Sequence, residues 1–229
     1  MTACAPPEVH DAPPVLLFSG TGTSPNDVTA VTTILEDRRL KYSSVSSSDL
    51  NRMNGPQLRA YRLMIVPGGN YITMGEGLTA TTATNIRNAV QGGLNYLGIC
   101  AGGLLAGNGA HNGLNLTEGV RFGFYALVNS GVHKAAVRIT GVGTPSIEHY
   151  WEDGPEYTGW GSVVAKYPDG TPAIVEGRVR KGWVLLVGTH PEAPESWLRG
   201  TAFTTPPSAA NAYTGTLIDA ALNGASLPH

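Results

Sequence analysis

The sequence predicts an α/β protein: an open parallel sheet with helices on both faces and antiparallel hairpins added to it. Three observations carry this. Short continuous apolar runs, Val15 to Phe18 and Leu63 to Val66, end in turn residues and are spaced by helical patterns, as buried parallel strands are. After about residue 106 the texture changes to short segments rich in Val, Ile, Tyr and Trp, which is how antiparallel strands read. Between these regions lies Leu97-Gly98-Ile99-Cys100-Ala101-Gly102-Gly103, a corner where a strand hands over sharply to a helix.

In chain order, residues 1–13 read as a disordered lead-in and residues 14–229 as one α/β domain. Val15 to Phe18 is the first strand, and Gly20-Thr21-Gly22 is a turn because it lacks a full phosphate-binding fingerprint. Asn26 or Asp27 caps a helix through Val28, Val31, Ile34 and Leu35 to about Arg39. Tyr42 to Ser46 is a weaker strand. A short helix around Gln57 to Tyr61 precedes the strand Leu63 to Val66, which Pro67-Gly68-Gly69 stops. Residues 79–91 are helical, with Thr82, Asn85 and Arg87 facing outward, and Tyr96 to Ile99 is the strand that runs into Cys100. This rhythm gives right-handed crossovers and a flavodoxin-like sheet. Segments 120–128, 132–140, 146–151, 160–167, 172–179 and 182–188 follow as hairpin strands, separated by turns such as Asp169-Gly170 and Lys181-Gly182. Residues 193–211 form a Pro/Thr/Ala-rich loop, and Ala212 to Leu222 a closing helix.

Composition narrows the function. With 229 residues and 41% hydrophobic content the chain can build a sizeable core. A net charge of −2 and the lack of a Lys/Arg run argue against a nucleic-acid surface. No apolar run reaches membrane-spanning length. Cys4 and Cys100 do not make a disulfide framework. Thr2-Ala3-Cys4 before a Pro-rich stretch has the look of a trimmed lipoprotein cleavage box. Localisation is therefore open between the cytoplasm and a lipid anchor outside it. No metal or cofactor is expected, because His111, His133 and His149 lack ligand spacing and have no cysteine near them. The expected partner is a small-molecule or peptide-like substrate, and the oligomeric state is open.

The chemistry concentrates on Cys100. Glycines two before and two after it permit a tight turn, and the helix start behind it favours thiolate over thiol. His190 follows the apolar run 183–187, at the strand end where ligands bind in open sheets. Glu192, two residues on, can fix the tautomer of the imidazole. Pro67-Gly68-Gly69 ends another strand at that edge, so the N–H groups of Gly69 and Ala101 form a candidate oxyanion hole. Asn70 and Tyr71 follow and line the pocket. The aromatic and acidic stretch 149–155, with Trp151 and Glu152, reaches over the site to recognise a polar or cationic group. Plainer readings stand beside these: a buried structural cysteine, a core histidine, a solvated loop charge and an ordinary turn.

Gly98-Ile99-Cys100-Ala101-Gly102, with His190-Pro191-Glu192 downstream and Pro67-Gly68-Gly69 upstream, resembles the class I glutamine amidotransferase-like superfamily. Val66 to Tyr71, Tyr96 to Gly103, Tyr150 to Pro155 and the two stretches 164–167 and 187–192 look most like the amidotransferase-like domain found at the N-terminus of biotin–protein ligases and in stand-alone form. The resemblance implies a Cys100–His190–Glu192 triad with Gly69 and Ala101 as oxyanion donors. It also implies a cysteine-dependent hydrolase or amidotransferase acting on an amide or acyl carbon. Glutaminase members usually carry Gln where this chain has Leu104, which argues against glutamine as substrate. Two other readings compete. One is a binding or regulatory module of the same fold without turnover. The other is a redox or glyoxal-handling thiol protein, which ranks last because Ser19 to Asn26 offers no acidic residue to the cysteine.

Overall fold

The structure, a computed structural model, describes residues 13–229. The expectations for residues 1–12, the Cys4 cleavage box among them, lie outside the described residues. The chain begins β1 (Val15–Phe18), α1 (Pro25–Asp37), β2 (Tyr42–Val45), α2 (Ser47–Leu50), α3 (Gly55–Leu58), β3 (Leu63–Val66) and α4 (Tyr71–Glu76). It continues α5 (Ala80–Gln91), β4 (Asn95–Ile99), α6 (Ala101–Leu105), β5 (Arg121–Phe124), β6 (Lys134–Gly141) and β7 (Thr144–Glu152). It ends β8 (Pro155–Thr158), β9 (Ser162–Lys166), β10 (Pro172–Val179), β11 (Gly182–Val187) and α7 (Pro207–Asn223). Single 3-10 turns cover Ala126–Ser130 and Glu195–Leu198.

Nine strands form one sheet in the order β2-β1-β3-β4-β11-β10-β9-β6-β7, and β5 pairs with β8 apart from it. From β2 to β11 the pairing is parallel; from β11 onward it is antiparallel. The α/β architecture read from the pattern is therefore the one observed. Alternate strand residues feed two apolar layers. Leu17, Ile65, Leu97 and Leu185 pack with Val31 and Leu35 of α1 and Leu217 and Ile218 of α7. Leu16, Met64, Tyr96 and Leu186 pack with Ile86, Ala89 and Val90 of α5.

The register that matters for function is β11 beside β4, with Val187 opposite Ile99. Both strands stop at the same edge, so the residues just beyond them, Cys100 and His190, leave the sheet side by side.

Several local expectations are corrected. Ser24, not Asn26 or Asp27, caps α1; its side chain accepts from the Asp27 N–H, and Pro25 occupies the first helical position. The helix expected at 57–61 is α3, set earlier by a capping box between Asn54 and Gln57. Thr82 is buried rather than outward, since its hydroxyl donates to Asn51 Oδ1 at 2.7 Å. Residues 155–158, which fall between the expected strands 146–151 and 160–167, pair with β5 as a strand. The closing helix starts at Pro207 rather than Ala212. Among the described residues no helix is long and apolar enough to cross a membrane.

Candidate active site

Cys100 is the residue between β4 and α6, with φ 49° and ψ −109°. A non-glycine residue there is strained, and such strain persists only where the surroundings impose it. The surroundings do so here. The Cys100 N–H donates to Val187 O of β11 at 2.7 Å, and its carbonyl accepts from Gly103 and Leu104. A Cβ on Gly102 would run into the Val66 carbonyl of β3, so α6 sits tight against the sheet. The cysteine is 7% exposed. Its sulfur lies 3.9 Å from Glu152 O and interacts with the His190 ring by charge and side-chain hydrogen bonding.

His190 is held in place by its backbone N–H, which donates to Tyr150 O at 2.7 Å. Its Nδ1 is 2.9 Å from Glu192 Oε1 and 3.0 Å from Asp27 Oδ1. All three side chains are buried. Burial alone would pull the His190 pKa down; the Cys100 sulfur, Glu192 and Asp27 outweigh it and hold the ring well above its usual value. Burial pushes the Glu192 carboxyl up, only partly offset by His190. Burial also opposes ionisation of Asp27, but the adjacent imidazole wins and the carboxyl stays below its ordinary range.

Cys100 and His190 open on a cavity of about 420 Å³ that Asp27, Gly69, Asn70, Tyr71, Ala101 and Leu104 also line. The Gly69 N–H makes no hydrogen bond among the described residues, although its neighbours do: Ser24 N–H donates to Gly68 O, and Asn70 N–H to Gly22 O. Ala101 N–H is the first of α6 and has no acceptor within the helix. Both donors therefore border the cavity unengaged. Of groups that could hold a metal ion, Asp27, His190 and Glu192 place one ligand atom each within 4.8 Å of one another. That cluster was not foreseen from the sequence.

Known proteins resemble this chain in sequence and fold. Residues 13–112 match the family model described as biotin-protein ligase, N terminal. A crystal structure of a glutamine amidotransferase superposes with a TM-score of 0.59 at 22% identity, covering 78% of this chain and 90% of that one. The chain carries an α/β fold similar to that of a glutamine amidotransferase. An exo-β-1,4-mannosidase from Opitutaceae bacterium strain TAV5 matches with a TM-score of 0.60 and 15% identity over 90% of this chain, which spans only 36% of that protein. A cytoplasmic protein from Salmonella typhimurium gives 0.60 at 10% identity, over 90% of this chain and 98% of its own. No curated protein matches.

Around this cavity the geometry brings together Cys100, His190, Glu192, Gly69, Ala101, Tyr71 and Glu152. Asn70 lines the cavity, but its side chain caps α4 by accepting from Thr73 N–H. Trp151 is corrected: it is fully buried, donates to Gly154 O at 3.0 Å and packs edge-on against Tyr125. Strand alternation is the reason, since Tyr150 and Glu152 share the face toward the site and Trp151 takes the other. Asp27 and Trp197 went unrecognised in the sequence. Trp197 sits edge-on to both His190 and Tyr150, at 5.9 and 5.7 Å, so the loop after Glu192 covers the imidazole. The acidic residue found missing from Ser19 to Asn26 comes one position later, at Asp27, and it meets His190.

Proposed function

We propose that the chain is a cysteine-dependent acyl hydrolase or amidotransferase-like enzyme acting on an amide or acyl carbon of a small substrate. The observation that carries this is the strained Cys100 held against a buried His190 whose Nδ1 is bonded to Glu192. The sulfur adds to the acyl carbon, and the carbonyl oxygen becomes an oxyanion facing the N–H groups of Gly69 and Ala101. His190 passes a proton to the departing amine as the C–N bond breaks, leaving a thioester on Cys100. Water, deprotonated by the now neutral imidazole, cleaves the thioester and restores the thiol. Glu192 keeps the ring oriented through Nδ1. Leu104 lines the cavity where glutaminases usually carry Gln, so the substrate is an amide or ester other than glutamine.

The small exposure of Cys100 favours the second reading, a binding module without turnover. Iodoacetamide separates the two. The enzyme reading expects Cys100 to be alkylated near neutral pH faster than a free thiol, and more slowly once His190 is changed to Ala. Labelling at the free-thiol rate, indifferent to His190→Ala, overturns it.

A further inference from the structure

We propose that the Cys100 cavity selects acyl substrates carrying a positively charged group, an ammonium or guanidinium, with Asp27 as its principal recognition residue. This deepens the hydrolase reading and rests on it.

An imidazole Nδ1 has one proton to give. Its geometry gives that proton to Glu192 Oε1, which satisfies the orienting role. Asp27 is therefore surplus to the orientation of His190. Its Oδ1 pairs with the same nitrogen at 3.0 Å, and the side chain is only 8% exposed. The imidazole beside it holds the Asp27 carboxyl below its ordinary range, so the group is charged. Asp27 lines the cavity that holds Cys100, so its negative charge acts on whatever is bound there.

The charged side chains lining the cavity are mostly of one sign. The cavity wall carries Asp27, Glu152 and Asp153, and no Lys or Arg among the described residues. Glu152 accepts from Tyr150 at 2.7 Å, and Asp153 pairs with the exposed His133 at 2.9 Å. Lys134 and Arg199 line an adjoining groove with Tyr150 and Trp197 rather than the cavity itself. His190 brings positive charge to the cavity, but Glu192 and the cysteine sulfur already face it. A cationic ligand gains in this field and an anionic one loses. The closely packed wall keeps Asp27 in place: a Cβ at Gly68 would strike both Asp27 Oδ1 and His190 Cε1.

The test needs no known substrate. Cys100 is modified with two methanethiosulfonate reagents of similar size, one ending in trimethylammonium and one in sulfonate, and with neutral iodoacetamide. Rates are read by mass mapping of the Cys100 peptide and referred to 2-mercaptoethanol in the same buffer. The fraction of thiolate cancels in the cation-to-anion ratio, so the ratio reads the field alone. A unit charge about 8 Å from a reacting group, at an effective dielectric of about 40, changes each rate about fivefold in opposite directions. The ratio at Cys100 is expected to exceed the free-thiol ratio by about 25-fold, to fall most of the way back in Asp27→Asn, and to fall only about twofold in Glu152→Gln, which is exposed. Raising the salt concentration on the unaltered protein gives the same answer without a variant, by shrinking the ratio. A Cys100 that reacts fast with iodoacetamide but shows the free-thiol ratio overturns this inference and leaves the hydrolase reading standing. A Cys100 inert to iodoacetamide removes both.

Discussion

His149 gives the sharpest test of the packing around the site. It lies on β7, one residue before Tyr150, and is fully buried. Its Nδ1 is 2.8 Å from Thr189 Oγ1, and its ring tilts against Tyr213 of α7 at 5.7 Å. Burial alone drives its pKa down from 6.5 to about 3. The native state thus excludes the proton that the unfolded chain takes up. Stability is fully present above the ordinary value of 6.5 and is lost as the pH falls from there toward 3. At a pH of about 4.5 the unfolded chain is favoured by about two pH units of proton uptake, or about 2.7 kcal/mol. His149→Gln keeps a partner for Thr189 and cannot titrate. Urea unfolding of both proteins at pH values of about 7.5 and 4.5 isolates the contribution, because Asp27, Glu148 and Glu192 titrate in both. His190 titrates in both as well, and with the opposite sign: its raised value gives stability that is present below 6.5 and lost as the pH climbs. The stability gap between His149→Gln and the parent should shift by about 2.7 kcal/mol in favour of the variant on acidification. A gap that stays constant across that range refutes the assignment of His149 as a buried neutral imidazole.

Three further outcomes are expected. Gly68→Ala should destabilise the fold by about 1–3 kcal/mol and slow Cys100 alkylation, because the new methyl displaces both Asp27 and His190; unchanged labelling would contradict the tight wall. Glu148 accepts from the backbone N–H groups and hydroxyls of Thr204 and Thr205 and pairs with Arg138. Glu148→Ala should therefore cost about 2 kcal/mol and expose the 199–206 segment to limited proteolysis, read as faster cleavage there. Cys100→Ser should lower the His190 pKa, followed by NMR of the imidazole, because the sulfur is the largest of the groups that raise it; a value that does not move would separate the two side chains.

Much of the framework was legible because burial on both faces of a parallel strand leaves nothing ambiguous. Val15 to Phe18, Leu63 to Val66 and the run through Val187 are each apolar at nearly every position, and they became β1, β3 and β11. The juxtaposition of Cys100 and His190 followed from the same logic, since two such strands that pair in parallel present their ends together. Helix starts were harder. Asn26 and Asp27 are good caps by type, but Ser24 followed by Pro25 is better placed, and that competition is decided by backbone geometry. Thr82 is polar and was read as outward; a distant acceptor, Asn51, made its burial favourable. Asp27 escaped notice because an acid in the first turn of a helix has an ordinary explanation in capping and the helix dipole. Nothing in its neighbours points to His190, which is far away in sequence. The face of Trp151 could have been decided in advance: once Glu152 is turned toward the site, alternation sends Trp151 to the core.

The groups of the proposed site come from separate stretches of the chain. The family match spans residues 13–112, which contain Cys100, Gly69, Ala101 and Asp27. His190 and Glu192 come from beyond it, just after β11, the strand that lies beside β4. The sulfur and the N–H groups of Gly69 and Ala101 are fixed by close backbone contacts between β3, β4 and α6, where small changes cost packing. Asp27 rides on α1, where it lines the cavity and pairs with His190. Replacing that single side chain alters the field in the cavity without moving a strand, whereas altering Cys100 or Gly69 disturbs the corner itself. Because Asp27 also touches His190, an Asp27 change is read by two measurements together: the ratio of cationic to anionic labelling for the proposed charge selectivity, and the iodoacetamide rate for any effect passed through the imidazole.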